Sequence, residues 1–359
     1  MTTEIEPVLR LTRPAEWLQA IPYLFGFIPA ESLVVLGLDG PRKRVRFQMR
    51  VDLPAPEDVL GLAIHVADVL ERQDVDRVLV VVFGTEPGPP NAADRDLWEC
   101  LSDELALRET LAHIDVVDAI VARAGRWWSL ECGNPRCCPP EGTAYDAGAG
   151  RVPAEMVLRG CVARDSRDDV AAELAAYGGP AEVLVAQRCR ALYDADRAPG
   201  ADPWAWSMPW VDTAVERWRE VLTARGAQAS ALDGETVAHL LYPLDHKTLR
   251  DRVAGVCMKH SARAKPLLRE VIRRAPREYV APPATILGLL EWADGDGLRA
   301  MIAFERALAG DPDYSFAAML QQGLQHGIRL PDDYFDSIRE MARKRWRTPS
   351  RRRSSRQVG

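Results

Sequence analysis

The chemistry-bearing residues of this chain concentrate between Arg126 and Gly142, which reads R-W-W-S-L-E-C-G-N-P-R-C-C-P-P-E-G. Three of the seven cysteines lie here, with two tryptophans and three prolines. Neither a helical nor a strand period accommodates that mixture, so a turn-rich segment built for a purpose is expected. Cys132-x4-Cys137-Cys138 supplies thiolates of the kind zinc takes. Adjacent cysteines fit one tetrahedral ion awkwardly, however, and His65, His113 and Cys161 are scattered as fourth ligands. Zinc therefore ranks low, and no cofactor is expected.

A cysteine-dependent hydrolase or transferase would use Cys137 or Cys138, with Arg136 depressing a thiol pKa and Glu141 orienting a base. Its missing part is a histidine, since His65 and His113 fall in stretches read as helical. A redox switch would join Cys132 to Cys137, because neighbouring cysteines bridge only through a strained peptide. The plainest alternative is a proline-braced plug whose cysteines and tryptophans close a sheet edge.

Length, charge and missing motifs narrow the field. The 359 residues suffice for two domains with cores of their own. Hydrophobic content of 47% and charged content of 27% are those of a soluble globular protein. Apolar runs such as Leu33–Leu38 and Val78–Phe83 are strand-sized, and the first residues lack a signal-peptide pattern, so a cytoplasmic protein without membrane contact is expected. An odd, scattered cysteine count agrees with a reducing compartment. Only five lysines stand among the 46 basic residues, which suggests a GC-rich bacterial genome. Net charge is −6, yet Arg343–Arg356 carries eight positive charges and no acid, leaving about −14 for the remainder. Nucleic acid would then bind only through that tail. The chain contains no GxGxxG, P-loop, HExxH or GxSxG.

The elements that must position these residues read as follows. Trp17, Leu18, Ile21 and Leu24 repeat at helical spacing after Pro14, until Gly26 and Pro29 break the pattern. Ser32–Leu38 is a doubly buried strand, and 44–51 alternates as a half-solvated hairpin partner. Val59 to Leu70 forms an apolar helical stripe, 76–84 a second buried strand, Leu97 to Leu105 a helix and 114–122 a third strand. This is a βαβαβ arrangement: an α/β domain over 1–150 with a mostly parallel sheet and one antiparallel hairpin. Ligands in such sheets sit beyond the strands' carboxyl ends. A pocket there is expected to be lined by Gly84, Thr85, Arg126, Trp127, Trp128, Arg136 and Glu141.

Residues 151–228 read as a mainly helical connection that includes a break at Pro199–Pro203. Trp204, Trp206 and Trp210 read as an aromatic clasp. Residues 229–342 read as a helical domain, and 343–359 as a basic disordered tail. Charges near His246–Asp251 and Lys259–His260 read as solvated helix faces. Within 281–314, Leu287, Gly288, Ala300, Phe304, Ala307 and Pro312 match one tetratricopeptide-type hairpin, while Ala284 and Glu291 depart from it. A protein partner would use this helical region.

Pro22-Tyr-Leu-Phe-Gly-Phe-Ile-Pro-Ala-Glu-Ser-Leu-Val-Val-Leu-Gly resembles the N-terminal signature of an actinobacterial family, domain of unknown function 4192. Arg50-Val-Asp-Leu-Pro, Trp127-Trp-Ser with Cys137-Cys-Pro-Pro-Glu-Gly, Asp294-Gly-Asp-Gly and Ala307-Leu-Ala-Gly-Asp-Pro-Asp-Tyr-Ser resemble its later signatures. Leu130 stands where that family would have an aromatic. The resemblance implies a cytoplasmic actinobacterial protein and assigns no catalytic residue. The leading expectation is a non-catalytic binding or regulatory protein; the cysteine enzyme, and a structural zinc or redox switch, are the rivals.

Overall fold

The computed structural model describes residues 11–41, 44–196, 208–224, 232–330 and 334. Trp204, Trp206, the Pro199–Pro203 break and the basic tail lie outside them. The chain divides into two compact units. The first holds 1–173, 294–302 and 319–329; the second holds 174–293, 303–318 and 330–359.

In the first unit, helix α1 (Pro14–Phe25) starts at Pro14 and stops at Gly26, whose φ of 77° is a left-handed cap. Strands β1 (Ser32–Asp39), β2 (Arg44–Asp52), β3 (Arg77–Gly84), β4 (Asp115–Arg123), β5 (Arg126–Ser129) and β6 (Thr143–Ala144) form one sheet in the order β2-β1-β3-β4-β5-β6. Helices α2 (Val59–Leu70) and α3 (Ala92–Leu107) connect β2 to β3 and β3 to β4. Val66 and Leu70 from α2, and Leu97, Trp98 and Leu101 from α3, share a core with Leu33, Val35, Val80, Val82 and Val121. Each such side chain contributes about 1.5–3 kcal/mol through burial.

The sheet corrects the expectation of mostly parallel pairing. Only β3 and β4 pair in parallel; β1 is antiparallel to both β2 and β3, and β5 to both β4 and β6. Strands β2, β3 and β4 do run in one direction, as a βαβαβ reading requires. Strand β1 lies reversed between β2 and β3, and it is buried on both faces. An apolar run reports burial, which a reversed central strand shares with a parallel one.

Further along this unit are α4 (Arg151–Leu158) and α5 (Arg167–Ala172). Val152 and Met156 of α4 pack on Ala20 of α1.

The second unit is helical. It contains α6 (Gly179–Asp196), α7 (Met208–Thr223), α8 (Gly234–Leu241), α9 (Lys247–Lys259), α10 (Ser261–Arg274) and α11 (Ala281–Ala293). Helices α12 (Gly297–Gly310) and α13 (Ser315–Gln325) each contribute residues to both units. Trp218 is fully buried, and its indole N–H donates to the Leu240 carbonyl at 3.2 Å. Gly288 of α11 faces Phe304 of α12 so closely that a Cβ would meet the ring at 2.3 Å.

Two polar positions in this unit are core rather than solvated face. Arg250 is buried, stacked 4.1 Å from the Phe316 ring centre and bonded to the Tyr314 hydroxyl at 3.1 Å. Glu291 is buried between Lys265 and Arg269. Long cationic side chains pack their stems and planes on apolar neighbours, which composition does not reveal.

Candidate functional site

Strands β4 and β5 join through Ala124 and Gly125, whose φ values of 44° and 74° make a two-residue hairpin turn with both centres left-handed. Strand β5 runs back along β4, pairing Arg126 with Arg123 and Ser129 with Ile120. The expectation of a turn-rich segment over Arg126–Gly142 is thereby corrected at its start, where 126–129 is strand. Trp127 and Trp128 are adjacent strand residues on opposite faces, and both are buried.

Ser129 turns the chain out of the sheet. Its hydroxyl donates to the Asp118 carboxylate at 2.6 Å and accepts from the Glu131 and Cys132 amides at 3.2 and 3.0 Å. Burial raises the Asp118 pKa, and Glu131 adds like charge. The Glu131 carboxylate accepts from the Trp98 indole N–H at 2.7 Å, tying this end of the loop to α3.

Asn134 builds the turn that follows. Its side-chain oxygen accepts from the Arg136 amide at 3.0 Å, and its carbonyl accepts from the amides of Cys137 and Cys138 at 3.0 and 2.8 Å. The loop returns through Pro140, whose carbonyl accepts from the Trp128 indole N–H at 3.0 Å. Arg126 donates to the carbonyls of Glu141 and Gly142 at 3.1 and 2.9 Å. Gly142 has φ 77°, and a Cβ there would stand 2.4 Å from the Trp128 ring. Only glycine satisfies both constraints.

The sulfurs of Cys132, Cys137 and Cys138 all lie within 4.8 Å of one another. Among the described residues these three alone form a group of His, Cys, Asp or Glu close enough to share an ion. Cys137 is exposed, and Cys132 and Cys138 are half-buried. The backbone amide of Asn134 lowers the Cys132 pKa, helped by the neighbouring thiols. Arg136, expected to depress a thiol of the Cys137–Cys138 pair, has an exposed side chain and does not lower Cys138. Burial, then the two other thiols, pushes Cys138 up to about 12.

The remaining expected lining residues sit elsewhere along the strands. Gly84 pairs with Arg123, and Arg123 with Arg126, so these three share one row across the sheet. Thr85 donates its amide and hydroxyl to the Glu31 carboxylate, both at 2.6 Å. The cysteines leave β5 after Ser129, three residues on, about 10 Å at the usual strand rise. The Glu141 side chain is exposed, and its carbonyl is the group bonded to Arg126. His65 lies in α2, while His113 lies in the turn before β4 rather than in a helix.

Sequence reasoning missed Asp118, Ser129 and the Trp98–Glu131 bond, which carry no local signature. It also passed over Asn134-Pro135, a turn-initiating pair that does signal the bend between the cysteines. The row at the strand ends went unread as well. There Asp94, 3% exposed, pairs with Arg123 at 2.6 Å, and Glu31 adopts φ 43°.

Comparison with known families gives one match, to the family described as Domain of unknown function (DUF4192), over residues 14–330. The chain belongs to that family. No curated protein matches, and neither does any solved structure. The DUF4192 match contains both the cysteine loop and the Glu31–Arg123 row. Two of the signature segments meet in the fold: Arg50 donates to the Ser32 hydroxyl at 2.8 Å, and the Leu53 amide to the Glu31 carbonyl at 3.0 Å. Among the described residues no helix is long and apolar enough to cross a membrane.

Proposed function

We propose that this DUF4192 protein is a non-catalytic binding or regulatory protein whose Cys132, Cys137 and Cys138 hold one thiophilic cation, zinc. The observation that carries the reading is the convergence of three sulfurs within 4.8 Å on a loop pinned at both ends. Two thiolates on a tetrahedral zinc lie about 3.8 Å apart, given Zn–S bonds of about 2.3 Å, so small side-chain rotations complete the shell. A fourth ligand would come from water or another molecule, which gives an exposed site its binding role.

The rival, a hydrolase or transferase using Cys137 or Cys138, has less support. Among the described residues no histidine or carboxylate joins the sulfurs. The Gly288–Phe304 contact supports a tetratricopeptide-like reading of 281–314, through which a protein partner is recruited in a cytoplasmic actinobacterial setting.

Elemental analysis with native and denaturing mass spectrometry, on protein purified without chelator or reductant, tests the metal. One zinc per chain, lost on denaturation and absent from Cys132→Ser, is expected. Metal-free protein that also fails to take zinc from a buffered solution overturns the reading.

A further inference from the structure

We infer that the cluster is discharged by oxidation: a hydroperoxide converts Cys137 and Cys132 to a disulfide, and the zinc leaves. The inference rests on the zinc reading and adds its regulation.

Geometry assigns the two sulfurs unequal parts. Cys137 is the exposed member of the three and the one a peroxide reaches from solvent. Its thiolate attacks the peroxide, breaking the O–O bond; the sulfur becomes a sulfenic acid and the distal oxygen leaves as water or an alcohol. Cys132 is the natural resolving thiol, because its sulfur is within 4.8 Å and four residues separate the pair. It attacks the sulfenic sulfur, and the hydroxyl leaves as water. With hydrogen peroxide, two zinc-bound thiolates, one peroxide and two protons from solvent give one disulfide, two waters and the free zinc ion. Two electrons pass from sulfur to oxygen, and the solvent protons end in the water. Cys138 also lies within reach, but bridging it to its neighbour Cys137 would strain the peptide between them.

A disulfide brings two sulfurs to about 2.05 Å and removes two anionic donors, so one thiolate remains for the ion. The change is confined to the loop. Trp98 with Glu131, and Trp128 with Pro140, hold both its ends without help from sulfur. Within the cluster Cys132 could also reach Cys138, but Cys137 is the exposed sulfur that is oxidised first; of the others, Cys189 and Cys257 are buried while Cys100 lies in α3 and Cys161 follows α4.

The test uses the full zinc-loaded chain, titrated with hydrogen peroxide in the presence of a chromogenic chelator. Aliquots are digested under non-reducing conditions for mass spectrometry. One zinc released per peroxide consumed, a Cys132–Cys137 crosslink two mass units lighter than the thiols, and recovery of binding after dithiothreitol are expected. Cys132→Ser should trap a sulfenic acid on Cys137 that a 1,3-diketone labels; Cys137→Ser should slow oxidation of the loop at least tenfold. Circular dichroism of both variants checks that they fold. Zinc retained through a tenfold excess of peroxide, or a disulfide that omits Cys137, overturns the inference. Protein that never contained zinc overturns the parent reading instead and is seen before any peroxide is added.

Discussion

Two polar regions occupy the same sheet and differ in what their groups have left to give. At the carboxyl ends of β3 and β4, Asp94 and Arg123 neutralise each other at 2.6 Å, and Thr85 saturates one oxygen of Glu31. Gly84 lies so close to Arg123 that a Cβ would come within 2.4 Å of its Nε, a buried atom without a hydrogen-bond partner. Three residues along β5, the loop holds three sulfurs that face one another. The first region stands where open α/β sheets bind ligands, yet its net charges are paired and Gly84 covers the free Arg123 Nε. Accessible groups left over after folding mark a site better than position does.

The largest expected effect separates the two regions by stability. Asp94→Ala leaves Arg123 buried and unpaired, and should cost about 3–5 kcal/mol in denaturant unfolding. Zinc content of the variant that still folds should stay at one per chain. If metal is lost as well, the regions are not independent.

Gly142→Ala comes next. It forces a left-handed φ on a residue with a Cβ and drives that Cβ into Trp128, for roughly 2–4 kcal/mol. Because it displaces the loop's return, it should also weaken zinc binding, measured by chelator competition. Wild-type affinity in this variant would show that the cysteines organise their own turn.

Cys132→Ser is predicted to do the reverse of Asp94→Ala. Metal binding should be lost, while unfolding of the apo protein should move by less than about 1 kcal/mol, as surface substitutions do. Wild-type stability should rise with added zinc, and that of the variant should not.

The smallest effect concerns Glu16, a control outside both regions. Bonds from the Thr12 amide, Arg151, the Thr12 hydroxyl and the Arg13 amide lower its pKa from 4.5 to about 2, the Thr12 amide acting most. A depressed carboxylate stabilises the fold above its unfolded pKa. The difference between wild type and Glu16→Gln should be full above about pH 5 and shrink as pH falls from 4.5. It should be mostly lost near pH 2 and vanish only below it, read from urea midpoints across that range.

Much of the first unit was legible because apolar periodicity reports burial directly. Helices α1, α2 and α3 and strands β1 to β4 all lie where Trp17, Leu33, Val66, Val80 and Leu101 predict. Strand order was not legible: the antiparallel hairpin of β1 with β2 was expected and is present, but nothing in Leu33–Leu38 says that β1 lies between β2 and β3. Strand β5 was hidden by its composition, since a four-residue strand ending in a serine turn has no period to count. The cysteine cluster was visible as spacing. Its geometry depends on Asn134 and on long-range bonds to Asp118 and Trp98, which no local pattern encodes.

One edge of the sheet is β6, with two residues, and the other is β2, with nine. So short an edge offers too few backbone groups to template another chain, which protects the flank beside the cysteines from strand addition and aggregation. The β2 flank carries exposed Arg44 and Arg46 instead, where positive charge discourages the same event. The molecule therefore guards its two open margins by different means, brevity on one side and repulsion on the other.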